Sequence, residues 1–268
     1  MLIITYDGTF EGLLTVVYDC YYKKLTPDHI QGEKDVEKDF VSQYIYIETQ
    51  QEKAERVYGA IEEKISPQAL KNCYYAYLSH EDTKALTIYY YIRLGFKKGR
   101  DVDALLTHKT VAKLQGMVQK VVRERHRMLG LTRFMELEGG SLLAKIQPKY
   151  NILSLIAPHF AERLGKERWI IHDEGRDLMV IGTKGKWLLR DYIGKGPLKL
   201  HKKEEMFQSL WREFHQSIAI KDRKNVKLQQ QFMPKRYWEN LTEMKKKAPK
   251  KRPSVQGRIE KGSSEGER

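Results

Sequence analysis

Three groups of side chains in this sequence have the types and spacing to do chemistry. The first is the turn Tyr6-Asp7-Gly8-Thr9-Phe10-Glu11-Gly12, which offers two carboxylates, Asp7 and Glu11, and a hydroxyl where a helix should begin. Paired carboxylates can bind Mg²⁺ or move protons, and free amides at a helix start can hold an anion. His126, or His172 or His215 in its place, would supply a proton carrier for such a site. The same turn is also explained by a helix cap and a tight bend at Gly8. The second group is cationic. Lys113, Lys120 and Arg127 recur every seven residues, with Arg123 and His126 beside them and Arg133 beyond, so a helix would align them along one side. Such a stripe can follow a phosphate backbone, although long helices often carry solvated Lys and Arg outside. The third group mixes aromatic and basic residues: Trp211, His215, Arg223 and the run Gln229-Gln230-Gln231-Phe232-Met233-Pro234-Lys235-Arg236-Tyr237-Trp238. Bases can stack on Tyr and Trp while Lys and Arg hold phosphates. Helical spacing makes Trp211 and Phe214 core residues, which leaves Lys235, Arg236, Tyr237 and Trp238 as an exposed binding loop.

These residues need elements to hold them. Residues 1–6 read as a buried strand, Phe10 to Lys24 as a helix behind the Asp7-Gly8-Thr9 turn, Val41 to Thr49 as a strand and Gln50 to Ile65 as an amphipathic helix. Gln68 to Gly95 gives two helices parted near Ser79-His80-Glu81, and Asp101-Val102-Asp103 opens the longest helix, which runs to about Arg133 and stops before Gly139-Gly140. Ser141 to Ile146 is a strand, and Asn151 to Leu164 is helical with an interruption at Pro158. The runs Trp169–His172, Asp177–Gly182 and Lys186–Arg190 have the spacing of an antiparallel meander. Lys203 to Ile220 is a helix with Phe207, Leu210, Trp211, Phe214 and Ile218 inside, and Asn225 to Leu241 adds helix around Met233-Pro234. The expected class is α+β: an N-terminal α/β unit over 1–78, a mainly helical core domain with a small antiparallel sheet over 79–243, and a disordered basic tail over 244–268.

Charge separates those three segments. The 268 residues carry a net charge of +14, made up of −5 in 1–78, +13 in 79–243 and +6 in 244–268. Almost nothing in the tail is apolar, so it cannot offset the entropy of ordering, and its affinity for polyanions is nonspecific. With 41% apolar and 31% charged residues the chain is an ordinary globular one. No apolar run reaches the roughly 20 residues that cross a bilayer, and the start has no basic n-region, so no membrane is expected and the location is cytoplasmic. Two cysteines, Cys20 and Cys73, lack CxxC spacing and read as buried free thiols, which removes zinc ribbons, iron–sulfur clusters and disulfide scaffolds. Gly194-Lys195-Gly196-Pro197 is no phosphate loop, and His172-Asp173-Glu174 lacks the downstream cysteines of a zinc deaminase. No metal or cofactor follows from these residues.

Several separated motifs carry a resemblance. They are Tyr6-Asp7-Gly8-Thr9-Phe10-Glu11-Gly12-Leu13-Leu14, Arg123-Glu124-Arg125-His126-Arg127-Met128-Leu129-Gly130-Leu131-Thr132-Arg133-Phe134, Ala157-Pro158-His159-Phe160-Ala161-Glu162-Arg163, Trp169-Ile170-Ile171-His172-Asp173 and the run from Gln229 to Trp238. In this order, over about residues 1–243, the chain resembles bacterial DNA metabolism proteins associated with radical SAM enzymes. A similar domain elsewhere is fused to a uracil-DNA glycosylase-like domain. The resemblance implies DNA and a radical SAM protein encoded nearby as partners, and it implies that Tyr6, Gly8, Thr9, Phe10, His159, His172, Asp173, Met233 and Pro234 are family-motif positions. Phe232 stands where relatives have His in a Gln-His-Met-Pro run. Without cluster cysteines this chain is not itself a radical SAM enzyme, so the expected role is that of a DNA-binding accessory protein in modification or repair. A nucleic-acid-processing enzyme built on Asp7, Glu11 and His126 is the alternative, and a scaffold that binds only a partner protein is a third reading.

Overall fold

Leu2, Ile3 and Ile4 are apolar in succession, and the segment forms β1 (Leu2–Tyr6) in the middle of a three-stranded parallel sheet, between β2 (His29–Gly32) and β3 (Gln43–Tyr46). The computed structural model describes residues 1–33, 40–194 and 199–245. The expected tail therefore lies, apart from Met244 and Lys245, outside the described residues, as do Lys195 to Pro197 of the glycine run. Helix α1 (Phe10–Tyr22) starts at Thr9, whose Oγ1 accepts the Gly12 amide at 2.9 Å. Gly12 has to be glycine, because a Cβ there would collide with the Asp7 carboxylate, Thr49 Oγ1 and the Tyr6 ring. Three further helices, α2 (Gln51–Lys64), α3 (Pro67–Tyr77) and α4 (Lys84–Lys98), pack around this sheet. Ser66 caps α3, and Pro67 occupies its first turn.

The single helix expected from Asp101 is divided. Gly99–Ala104 forms a 3-10 turn, and α5 (Lys109–Leu131) begins afresh with His108 Nδ1 accepting the Thr110 amide at 3.3 Å. The turn holds its shape because Asp103 accepts the Tyr91 hydroxyl at 2.6 Å and the Asn72 amide at 3.1 Å, and because Gly99 adopts φ +63. Helix α5 is followed by β4 (Phe134–Glu136), a short strand with no signal of its own in the sequence, then β5 (Leu142–Ile146) and α6 (Leu153–Leu164). Pro158 sits exposed within a continuous α6 rather than interrupting it. The chain then forms β6 (Trp169–Asp173), β7 (Leu178–Thr183) and β8 (Lys186–Asp191), the antiparallel meander anticipated from the turn spacing. The five strands run in order β4-β5-β6-β7-β8, with β5 and β6 parallel because α6 crosses between them. Helices α7 (Glu204–Ser217) and α8 (Val226–Phe232) and a 3-10 turn at Lys235–Asn240 complete the described chain, which is α+β.

Two hydrophobic clusters form the core. One joins the parallel sheet, α1 to α4 and the first half of α5, as far as Val118. The other joins Leu78, Val121 and Met128 to α6, the five-stranded sheet, Tyr237 and Leu241. The expected boundary after residue 78 is therefore not a break between cores. Helices α4 and α5 complete the N-terminal cluster, and α5 is common to both. Cys20 and Cys73 are buried free thiols in the first cluster. One expectation fails outright: Phe207, Leu210, Trp211, Phe214 and Ile218 share a side of α7, yet they remain 40–59% exposed. Helical spacing identifies the face correctly, but nothing among the described residues covers it. Among those residues no helix is long and apolar enough to cross a membrane.

Candidate nucleic-acid interface

The buried side of α5 runs through Val111, Leu114, Met117, Val118, Val121 and Met128, which turns the opposite side to solvent. Lys113, Lys120 and Arg123 lie exposed on that outer side, and Arg127 is half-buried in line with them. Lys113 and Arg123 make no ion pair among the described residues, whereas Lys120 Nζ meets Glu81 at 2.7 Å. That hydrogen bond and the Glu81 charge push the Lys120 ammonium up from its ordinary value. Arg127 donates to the Gln231 carbonyl at 3.2 Å, which ties the end of α8 to the second half of α5.

Glu124 sits on the buried side of the same helix at 1% exposure. Its carboxylate accepts the backbone amides of Lys149 (3.0 Å) and Tyr150 (2.7 Å), the Tyr237 hydroxyl, and Arg236 Nη2 at 3.1 Å. Burial, together with that bond to Glu124, pushes the Tyr237 hydroxyl well up. The other side of the Pro148–Tyr150 turn is held by Arg176, which donates to the carbonyls of Pro148 (3.0 Å) and Lys149 (2.5 Å) and to Asp173 Oδ2 (2.9 Å). Asp173 is fully buried and also accepts the Gly175 amide. Burial raises its carboxyl above the ordinary value, and Arg176 opposes that shift. Three motifs far apart in sequence, those holding Glu124, Asp173 and Arg236-Tyr237, thus converge on one turn.

The same turn carries a cation to the surface. The Lys149 ammonium lies 5.9 Å from the centre of the Tyr150 ring. Tyr150 is shifted up by burial, and Lys120 and Arg236 are close enough to oppose the shift. Lys149 is thus the cation over this ring, while Lys120 is paired with Glu81 and Arg236 with Glu124. Lys149 and Arg176 carry no signal in the sequence, since both lie in short polar turns.

The other candidate residues have different surroundings. Asp7 Oδ1 accepts the Thr9 amide (2.9 Å) and hydroxyl (2.7 Å); burial works against its charge, but the Thr9 bonds prevail and hold its carboxyl below the ordinary value. The Gly8 carbonyl accepts the Tyr77 hydroxyl at 2.8 Å, and Phe10 packs edge-on against Tyr74. The Tyr6 to Gly12 motif is thus a joint between β1, α1 and α3, with Glu11 exposed on its outer turn. His126 makes no hydrogen bond, ion pair or ring contact with Asp7 or Glu11, and no three His, Cys, Asp or Glu among the described residues could hold a metal ion. His159 packs edge-on against Phe160, and His172 is buried and stacked on Tyr192 at 4.0 Å. Tyr237, expected in an exposed loop, is buried because its hydroxyl reaches Glu124. Trp238 is half-buried with Nε1 donating to the Met233 carbonyl, Pro234 is half-buried between them, and Lys235 is exposed as expected.

Arg133, beyond the end of α5, is engaged by an acid. It binds Glu243 at 2.8 and 3.4 Å and lies over the Trp211 ring at 5.8 Å, while Trp211 Nε1 donates to the same carboxylate at 3.0 Å. Burial raises the Glu243 carboxyl, but the Arg133 and Trp211 bonds outweigh it and hold the group below its ordinary 4.5. A carboxyl lowered by folding stabilises the fold above its unfolded value and loses that contribution as pH falls through the folded one. Trp211 fluorescence should accordingly change on acidification below 4.5 in the native chain, and Glu243→Gln should remove that step.

No curated protein is significantly similar to the chain. A family model does match residues 82–243, a span that takes in α5, the Pro148–Tyr150 turn, Asp173 and the Arg236-Tyr237 pair. By that match the chain belongs to the family described as a domain of unknown function, DUF4130.

Proposed function

We propose that this protein binds DNA as an accessory factor in DNA modification or repair, presenting it to a radical SAM or glycosylase-type partner. The observation that carries this reading is the outer side of α5, where Lys113 and Arg123 are exposed on a rigid helix with no ion partner among the described residues. Lys149, whose backbone amide is bound by Glu124 of α5, adds a further cation over the Tyr150 ring. Charges fixed on a scaffold bind a phosphate backbone without first losing conformational freedom. Buried carboxylates do the fixing: Glu124 holds Arg236 and the Lys149 backbone, and Asp173 holds Arg176 against that same turn. Two facts support the partner: the resemblance of the motifs and the absence from this chain of any cluster-binding cysteine set. The enzyme reading gains no support from Asp7, whose carboxylate is occupied in holding Thr9, the cap of α1.

The test is a titration of labelled single- and double-stranded DNA with the full chain and with a full-length variant whose tail lysines and arginines are changed to glutamine. The tail-neutralised protein should still bind. Adding Lys113→Gln and Arg123→Gln should weaken it and lower the salt slope on duplex DNA by about 0.9 for each phosphate that is no longer neutralised. Loss of all binding with the tail charges would reject the folded surface as the DNA site.

A further inference from the structure

Of the four cations along the outer side of α5, Lys113, Lys120, Arg123 and Arg127, only Lys120 is held by an acid among the described residues. The acid is Glu81, whose Oε1 accepts the ammonium at 2.7 Å. It stands in the connection between α3 and α4, residues 78–83, and that connection is fastened at several points. The Lys84 amide donates to the Glu81 carbonyl at 3.0 Å, Lys84 Nζ donates to the Ser79 carbonyl at 3.0 Å, and the Asn151 amide donates to the Leu78 carbonyl at 3.2 Å. Glu81 is thus carried beside Lys120 on a braced loop. Its charge is also felt by the Tyr150 hydroxyl, so it lies between the stripe and the ring that Lys149 covers.

Lys120 is the middle member of the series Lys113, Lys120, Arg127. At the helical rise it lies about 10 Å along the axis from each of the other two. With its charge cancelled, about 15 Å separates Lys113 from the next cation of the stripe, Arg123, and charges that far apart in water are largely screened from one another at physiological salt. The Glu81 carboxylate therefore divides the positive surface at its centre. The pair is also easily exchanged. Both side chains reach solvent, at 54 and 33% exposure, and exposed pairs are weakly held. A DNA phosphate offers the ammonium a full negative charge, and its neutralisation releases a condensed counterion from the duplex, a gain that Glu81 does not provide.

We propose that Glu81 is a built-in competitor for DNA, holding Lys120 in the free protein and giving way to a backbone phosphate when a strand lies along α5. The inference rests on the DNA reading and concerns how that surface is regulated. Its effect falls on release. A factor that presents DNA to a partner must also let it go, and a carboxylate fixed beside the central cation retakes Lys120 as the phosphate departs. The complex is then weaker and shorter-lived than the cations alone would make it.

The experiment measures binding of labelled duplex DNA by the tail-neutralised full-length chain and by four variants of it: Glu81→Gln, Lys120→Gln, the two combined, and Asp82→Asn, which removes the exposed charge next to Glu81. Glu81→Gln should bind about two- to fivefold tighter, the range set by an exposed ion pair, with most of the gain in slower dissociation. That gain should vanish once Lys120 is glutamine, and it should shrink as rising salt screens the pair in the parent chain. Asp82→Asn should gain less than Glu81→Gln, because it frees no cation of the stripe. Urea midpoints should stay near that of the parent, which separates tighter binding from a change in the fold. An unchanged affinity in Glu81→Gln, the same gain with and without Lys120, or an equal gain in Asp82→Asn overturns the proposal and leaves the DNA reading standing. A chain that binds no DNA in any of these forms rejects the DNA reading itself, and the proposal with it.

Discussion

Replacing Glu124 by alanine is expected to destabilise the fold by about 3–5 kcal/mol, the scale of breaking a buried charged network from one side. The carboxylate is the shared acceptor for two backbone amides, the Tyr237 hydroxyl and Arg236. Arg236 reaches solvent and can hydrate once released, so the larger cost falls on the groups that cannot. The Tyr150 amide and the Tyr237 hydroxyl lie inside, and leaving each unpaired costs roughly 1–3 kcal/mol. Glu124→Gln keeps the volume and one good acceptor, so it should lose less. Tyr237→Phe removes a single donor and should cost only about 1 kcal/mol. Urea unfolding followed by far-UV circular dichroism ranks the three, and a drop in the midpoint at unchanged slope identifies the loss as one of stability. A Glu124→Ala protein within about 1 kcal/mol of the native chain would show that the network is not what holds the C-terminal segment.

The second large effect comes from the absence of a side chain. Gly182 on β7 lies between Trp169 of β6 and Trp187 of β8 in the sheet register. A Cβ on Gly182 would fall onto the Trp169 indole, meeting Cε2, Cζ2 and Nε1. Trp169 is fully buried beside Phe160 and Ile171, so its ring has nowhere to retreat. Gly182→Ala should therefore cost about 3 kcal/mol, the upper end for an overpacked core, and Gly182→Val more. Thermal unfolding gives the size of the effect, and the near-ultraviolet circular dichroism of the displaced indole gives its cause. A native-like melting temperature in Gly182→Ala would mean that β7 shifts to make room. Glycine inside a strand ordinarily weakens it, and here the close approach of the indole accounts for its presence.

Local pattern makes much of the fold legible. The apolar run of β1, the Thr9 cap and the turn spacing of β6 to β8 are each set by neighbours along the chain, so the sequence alone is enough to place them. Strand β2 has only four residues, His29-Ile30-Gln31-Gly32, and owes its extended form to pairing with β1, which no local pattern records. The apolar spacing of α7 announces an apolar face correctly. Periodicity says that a face needs covering, however, and cannot say whether the cover belongs to the same chain. Glu124 is hidden by its neighbours, since Arg123-Glu124-Arg125 reads as a solvated charge run. The register of Val121 and Met128 does place position 124 inside, and that is the available signal. Its partners 26 and 113 residues away have none. The same distance explains why Tyr237 is expected outside: a tyrosine beside Arg and Trp looks like a binding loop until the carboxylate it satisfies is known.

The separation between Glu124 and its last partners also bears on how the molecule is made. The N-terminal cluster is complete once the chain has grown through Val118, and it can form on the ribosome while the remainder is still being synthesised. The second cluster gains its last members later, since Tyr237 and Leu241 belong to it. Until Arg236 and Tyr237 have emerged, the Glu124 carboxylate has only two amides to bind, and burying it under those conditions is unfavourable. The β5 to β8 sheet and α6 can pack on one another first, but Tyr237 and Leu241 join their cluster only with nearly the last described residues. A chain cut short before position 236 is expected to keep a finished first half joined to a second half that lacks Tyr237 and Leu241 from its core. Premature termination in that interval should therefore lower the stability of the second half and leave the product more open to proteolysis.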